Sequence, residues 1–169
     1  AIVNKIVDLA LVLGDGTNGF ISVEKETNAK KVKKITAAAT GDTPLADAVE
    51  DAVDFVRPTQ GAKYLIVTSA QRRQLLNELR KAVAPARVRN TDVDIASEVG
   101  VDGILVYNGT EALKPTLLVQ DGYHVDMQDM TKIDAFKWET NENAILLETV
   151  TNGHIEKYKS AAVITVAEA

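Results

Sequence analysis

Cysteine is absent from this 169-residue chain, and histidine, tryptophan and proline are scarce, at two, one and four residues. Without cysteine there are no disulfides, no thiolate nucleophile and no thiolate-held metal, which fits a reducing compartment. Aromatic residues reach only 5%, so stacking platforms for bases or sugars are few. No apolar run approaches the roughly 20 residues that span a bilayer. The apolar stretch over residues 1–13 is short, carries Lys5 and Asp8, and lacks the small-residue cleavage site of a signal peptide. Positive charge is also in deficit: 19 Lys and Arg against 24 Asp and Glu leave a net charge of -5. Such a balance disfavours a general nucleic-acid surface, which works by displacing condensed counterions from phosphate. The expectation is a soluble intracellular chain whose partners are proteins. Its first residue is Ala1 rather than an initiator Met, which suggests that sequence upstream is missing.

What is present suits one globular domain, or one domain plus an appendage: 46% of residues are hydrophobic and 25% charged. Ile2, Val3, Ile6, Leu9, Ala10 and Leu13 recur at helical spacing, which predicts a helix over residues 1–13 stopped by Gly14. No capping residue precedes it, as if its earlier turns had been cut away. The glycine-rich stretch Gly14-Asp15-Gly16-Thr17-Asn18-Gly19 follows, then a predicted short strand from Gly19 to Glu24. Lys30, Lys31, Lys33 and Lys34 approach Ile35 as a solvated strand or loop.

Thr43-Pro44 reads as a helix start, with Thr43 at the N-cap and Leu45, Val49, Ala52, Val53 and Val56 on one face. Asp42, Asp47, Glu50 and Asp51 suit the positive end of its dipole. Arg57 to Gly61 turns the chain, and Lys63 to Thr68 is a buried-strand pattern. Ser69 is the expected cap of a second helix carrying Leu75, Leu76, Leu79 and Val83, with Arg72, Arg73, Arg80 and Lys81 on its polar side. Ala86 to Asp92 reads as an exposed loop, and Asp92 or Asp94 opens a short helix ended by Gly100.

After Gly103 the texture changes. Strands are predicted over Ile104–Tyr107, Thr116–Gln120, Tyr123–Met127, Ile133–Glu139, Asn143–Val150, Ile155–Tyr158 and Ala162–Val166. Asn152-Gly153 is the strongest hairpin signal among them. Helices before Gly100 and antiparallel strands after it give an α+β layout.

Chemistry is thinly supported. A phosphate loop of Walker type needs a Lys and a Ser or Thr closing its glycines, and here Phe20 and Ile21 follow. A dinucleotide loop needs a strand before and a helix after, the reverse of this order, and Asp15 would repel a pyrophosphate. His124 and His154 lie apart, without a second ligand at metal spacing. His124 with Asp121 or Asp126 could form an acid–base pair, although such neighbours are common on solvated sheet faces. Ser69 lacks the flanking glycines of a nucleophile elbow, and Trp138 reads as a strand anchor. No catalytic, cofactor or metal site is expected.

Three segments carry a resemblance. Leu13-Gly14-Asp15-Gly16-Thr17 follows a helix, Thr40-Gly41-Asp42-Thr43 opens an Ala- and Asp-rich helix, and Tyr64 to Ser69 leads into Gln71 to Leu79. With the closing segments Asn143 to Val150 and Glu156 to Val166, this order resembles the major capsid proteins of tailed bacteriophages, the Hong Kong 97-type coat fold. The resemblance implies an α+β fold with a mixed or antiparallel sheet and two main helices. Residues 1–13 would end the spine helix, and residues 14–42 would form the turn and a peripheral-domain segment. Residues 43–132 would form the axial domain and residues 133–169 the peripheral strands. The family's N-terminal arm, extended loop and most of its spine helix do not occur in this sequence, so a longer parent coat protein is expected.

By the same resemblance the chain is a structural, non-enzymatic coat protein of a phage or prophage, self-assembling into pentamers and hexamers of an icosahedral shell. Its partners would be its own copies, scaffolding and portal proteins, and packaged DNA only non-specifically, without membrane. It would reside in the virion after assembly in the bacterial host cytoplasm. Inter-subunit contacts are expected at Arg87, Arg89 and Asp92 near the capsomer axis, where Arg87 and Arg89 would meet acidic groups of a neighbour, and at Trp138, Glu139 and Asn141. Trp138 and Tyr158 would fix peripheral strands. Some members cross-link a lysine to an asparagine; the aligned position is Glu139, with Asn141 and Asn143 nearby, and cross-linking is not inferred. An encapsulin-type bacterial shell protein shares the fold, and a small α+β enzyme using His124 and Asp126 is the alternative from another class.

Overall fold

Five short, mostly β-branched segments from distant parts of the chain form the central sheet. They are β1 (Val32–Thr36), β2 (Lys63–Val67), β3 (Gly103–Val106), β4 (Thr116–Val119) and β9 (Ala161–Thr165), in the order β1-β9-β4-β2-β3. The computed structural model describes residues 2–17, 19–82, 87–127, 131–137, 142–148 and 151–166. The sheet is mixed: β1 with β9 and β2 with β3 are parallel, while β4 runs antiparallel to both β2 and β9. An antiparallel layout after Gly100 was therefore only half of the answer. In β9, Ala161 to Ile164 are all buried, the continuous apolar pattern of a strand covered on both faces rather than the alternation of a one-sided one. The outer segments thus join the middle one, since β1 and β9 lie in the same sheet as β2, β3 and β4.

Helices α2 (Pro44–Val56), α3 (Ser69–Ala82) and α4 (Asp92–Val99) cover one face. Leu45, Val49, Val56, Leu75, Ile95 and Val99 meet Leu65, Val67, Leu117, Ala162 and Ile164 there. The alternate residues of β9, Ala161 and Val163, point the other way, into a second core with Leu11, Val23, Val32, Leu113 and Ile155. Burying Leu45, Val49, Val53 and Val56 of α2 at about 1.5–3 kcal/mol each is what holds that helix, whose propensity alone would not.

The helix starts differ in detail from their sequence reading. Thr43 occupies the N-cap of α2, but its hydroxyl bonds the Asp47 carboxylate at 3.2 Å and makes no cap hydrogen bond. The cap comes from α3 instead, where the buried Glu78 carboxylate accepts from the N–H groups of Leu45 (2.8 Å) and Ala46 (2.9 Å). Ser69 lies inside α3. Its cap is Thr68, whose hydroxyl accepts from Gln71 N–H at 3.3 Å while Gln71 Oε1 accepts from Thr68 N–H at 2.9 Å, a reciprocal capping box. Thr91 caps α4 by accepting from Asp94 N–H, and Gly100 closes that helix in the left-handed region at φ 76°.

The first helix is α1 (Ile2–Asp8), which widens into a π-helical turn over Leu9–Leu13. The predicted strand at Gly19 to Glu24 is instead a returning loop that caps this helix. Gly14 N–H donates to Leu9 O, Val23 N–H to Ala10 O, Glu24 N–H to Leu11 O, Ser22 Oγ to Val12 O and Lys25 Nζ to Leu13 O. Every carbonyl of the last turn is thereby satisfied, the requirement that an apolar helix end imposes.

A two-stranded ribbon, β5 (Tyr123–Met127) with β8 (Thr151–Ile155), lies beside this loop. The antiparallel pair β6 (Thr131–Lys137) and β7 (Glu142–Glu148) joins them in sequence. The Asn152-Gly153 pair does not turn a hairpin: Gly153 sits mid-strand opposite Val125. A Cβ there would lie 2.7 Å from the Phe20 ring and 2.8 Å from the Tyr123 hydroxyl, so the glycine answers to packing. The strand predicted at Ile155 to Tyr158 ends at Ile155. Tyr158 is 64% exposed in a turn held through its backbone by Thr59 Oγ1, and does not anchor a strand.

Candidate functional site

The glycine stretch spends its donors internally. Gly14 and Gly16 donate to Leu9 O and Phe20 O, Gly19 to Gly16 O, and Thr17 N–H to Asp15 Oδ1 at 2.9 Å. The Thr17 hydroxyl and backbone N–H hold the Asp15 carboxyl below the usual carboxylate range, which keeps a negative charge on the turn. An anion cradle needs converging free N–H groups and no such charge. The turn's role is chain geometry: Ile21 N–H donates to Gly153 O (2.8 Å) and Gly153 N–H to Gly19 O (3.0 Å), which docks the turn on β8.

Asp8 of α1 accepts a hydrogen bond from the Tyr107 hydroxyl just beyond β3. Burial, then this bond to a carboxylate, pushes the Tyr107 phenol up to about 12. The neutral phenol is thus favoured by folding, so its contribution is complete below about pH 10 and is lost as pH rises toward 12. In Tyr107→Phe, urea melts are expected to show about 1 kcal/mol lower stability at pH 7 and a shallower loss between pH 10 and 12. Tyr123, whose phenol burial also pushes up, retains the remaining slope.

His124 Nε2 lies 2.8 Å from Asp126 Oδ1, the pair expected from alternate strand positions, and both side chains are about half exposed at 52% and 55%. Strand pairing adds what sequence spacing hid: His124 is directly opposite His154, with ring centroids 6.2 Å apart at 70°. The dyad lies on an open ribbon face, where water competes with any general acid–base role. Among the described residues no set of three or more His, Asp or Glu side chains is disposed to hold a metal ion, and no helix is long and apolar enough to cross a membrane.

Arg87 and Arg89 are exposed in the turn before α4. Asp92 is already engaged within the chain, accepting from Arg72 Nε at 2.6 Å, while Arg72 also donates to Asn90 Oδ1. Val88, almost fully buried, and the bond from Arg80 Nε to its carbonyl anchor the same turn. Two arginines are therefore held outward on a fixed base. Val83, Pro85, Ala86, Trp138, Glu139 and Asn141 lie outside the described residues. A groove between α2 and α4 carries Asp47, Glu50, Glu98 and Asp102, with Arg57 and Lys63 at its border. Lys30, Lys33 and Lys34 are exposed, as their spacing suggested, and two of the cluster's ammonium groups turn back onto the chain: Lys31 Nζ donates to Ile155 O, and Lys34 Nζ to Val23 O and Glu24 O. Desolvation of its ammonium by the chain around it holds Lys34 below the usual lysine range.

No protein-family model matches the chain. The capsid proteins of Lactococcus phages p2 and SK1 are each 64% identical to it over 171 residues, a match that covers 99% of the chain. The chain spans 44% of the length of these curated relatives. Among solved structures, a virus-like particle from Pyrococcus furiosus superposes with a TM-score of 0.61 over 96% of this chain and 63% of that one, at 15% identity. The capsid of an empty GTA particle superposes at 0.56 over 99% of this chain and 65% of that one, at 12% identity. The chain is related to phage capsid proteins and has the Hong Kong 97-type coat fold.

The sequence marked the outward arginines. It missed Glu78, which ties α3 to the start of α2, and the Thr68–Gln71 box, which caps α3. The box was legible as Thr-x-x-Gln before an apolar run, whereas Glu78 showed only as a carboxylate beside Leu75, Leu76 and Leu79.

Proposed function

We propose that this chain is a structural, non-enzymatic part of a phage coat that self-assembles into the pentamers and hexamers of an icosahedral shell. The observation that carries the reading is 64% identity, across nearly the whole chain, to proteins named capsid protein. Its partners are then other copies of itself, with scaffolding and portal proteins during assembly in the host cytoplasm and only non-specific contact with packaged DNA. Its destination is the virion. Residues 1–13 end the spine helix, residues 14–42 form the turn and a peripheral-domain segment, residues 43–132 form the axial domain and residues 133–169 the peripheral strands, with β1 and β9 of the flanking segments continuing the axial sheet. Arg87 and Arg89 are placed to meet acidic groups of a neighbouring subunit. The open setting of His124 and Asp126 supports the non-enzymatic reading.

The test grafts this chain over the matching segment of the Lactococcus phage p2 capsid protein and examines the product by electron microscopy. Hollow shells are expected. A graft that folds by circular dichroism yet stays dispersed, while the parent protein assembles, would overturn the reading.

A further inference from the structure

The chain's two histidines, thirty positions apart in sequence, face each other across the β5–β8 ribbon. Asp126 and Asn152 form the next cross-strand pair on the same face. We propose that His124 and His154 form a two-nitrogen chelate for a borderline divalent cation of the Cu²⁺, Ni²⁺ or Zn²⁺ class, with Asp126 as a positioning residue.

Geometry supports the chelate first. A metal–imidazole bond of about 2.1 Å places each ring centroid about 3.2 Å from a shared ion, so two rings bound to it stand about 5–6 Å apart. The observed 6.2 Å is just above that range, and the half-exposed His124 has open solvent beside it in which to turn toward His154. Asp126 Oδ1 beside His124 Nε2 takes that nitrogen's proton as a hydrogen bond, which leaves Nδ1 as the lone-pair donor. A carboxylate in this role fixes the tautomer and strengthens the ligand. Imidazole selects borderline cations over Mg²⁺ or Ca²⁺, and water completes the coordination that two protein nitrogens leave open.

The consequence is mechanical. A ribbon of two strands is marginal on its own, and β8 is the strand on which the glycine turn docks. An ion that binds only the paired strands stabilises them in proportion to ln(1 + [M]/Kd).

Isothermal titration of the whole chain with CuCl₂, NiCl₂, ZnCl₂ and MgCl₂, alongside thermal melts, tests this. One saturable site is expected, tightest for Cu²⁺, absent for Mg²⁺, reversed by EDTA and accompanied by a rise in melting temperature. H124N and H154N, which keep polar side chains on an exposed face, should each weaken binding by about 100-fold. D126N should weaken it by about 10-fold, as loss of a carboxylate that orients a ligating imidazole does. Saturable binding that survives both histidine substitutions, or none below 1 mM metal (a working limit of about that size), overturns the site.

Discussion

Replacing Glu78 with alanine is expected to lower the melting temperature by about 6–12 °C, the equivalent of about 3 kcal/mol in a chain of this size. Glu78 is 5% exposed, and its two carboxylate oxygens are fully employed. Oε2 accepts from the Leu45 and Ala46 N–H groups, and Oε1 from Gln74 Nε2 at 2.9 Å. A buried carboxylate is tolerated because it sits at the positive end of α2, where free N–H groups and the helix dipole both favour negative charge. Alanine leaves those donors without a partner at about 1–3 kcal/mol each. Thr43 cannot substitute while its hydroxyl is turned to Asp47. Glu78→Gln keeps an acceptor without the charge and should fall between wild type and alanine. Calorimetric melts of the three proteins check this; an alanine variant melting within a degree of wild type would sink the assignment.

Gly153→Ala should be comparably damaging, at about 2–3 kcal/mol, although it adds a single methyl group. The new Cβ would stand 2.7 Å from two atoms of the Phe20 ring and 2.8 Å from the Tyr123 hydroxyl. Neither neighbour yields easily. Phe20 is 1% exposed, and the Tyr123 hydroxyl is bonded to Ile21 O at 3.0 Å. The Gly153 backbone is pinned too, donating to Gly19 and accepting from Ile21. Relief should therefore come from the ring. In a double-mutant cycle with Phe20→Leu, the combined loss should be smaller than the sum of the two single losses, since both act on one contact. Strict additivity in urea melts would show that the methyl group is accommodated elsewhere.

These two residues mark where sequence reading stopped. The apolar stripe of α2 and the runs at Lys63, Gly103, Thr116 and Ala161 were legible because burial imposes period 3.6 on a helix and an apolar run on a covered strand. Gly153 was misread because Asn-Gly is a local turn signal, and the ring that requires a glycine there comes from residue 20. Ser69 reads as a cap by residue type, but Thr68 is the cap, picked out by its reciprocal bonds with Gln71. Tyr158 was assigned to a strand by pattern, yet its segment is held as a turn by a threonine about a hundred residues earlier. The candidate surface was half visible. Arg87 and Arg89 were legible as exposed charge, while the tie from Asp92 to Arg72 depends on α3 and α4 lying side by side.

By itself the sequence determined the class of answer. Having no cysteine, few aromatics and a negative net charge excludes thiol chemistry and disfavours nucleic-acid readout, and helices before Gly100 with strands after it give an α+β class. Those are properties of composition and short-range periodicity, which need no knowledge of neighbours; the coat fold came from the resemblance of its segments to a known family. Tertiary structure alone decided the parallel pairing of β1 with β9, the capping of α2 by a carboxylate of α3, the need for glycine at residue 153 and the meeting of His124 with His154. Each is a contact between residues about thirty or more positions apart, fixed by which faces must be buried together, and no local pattern records it.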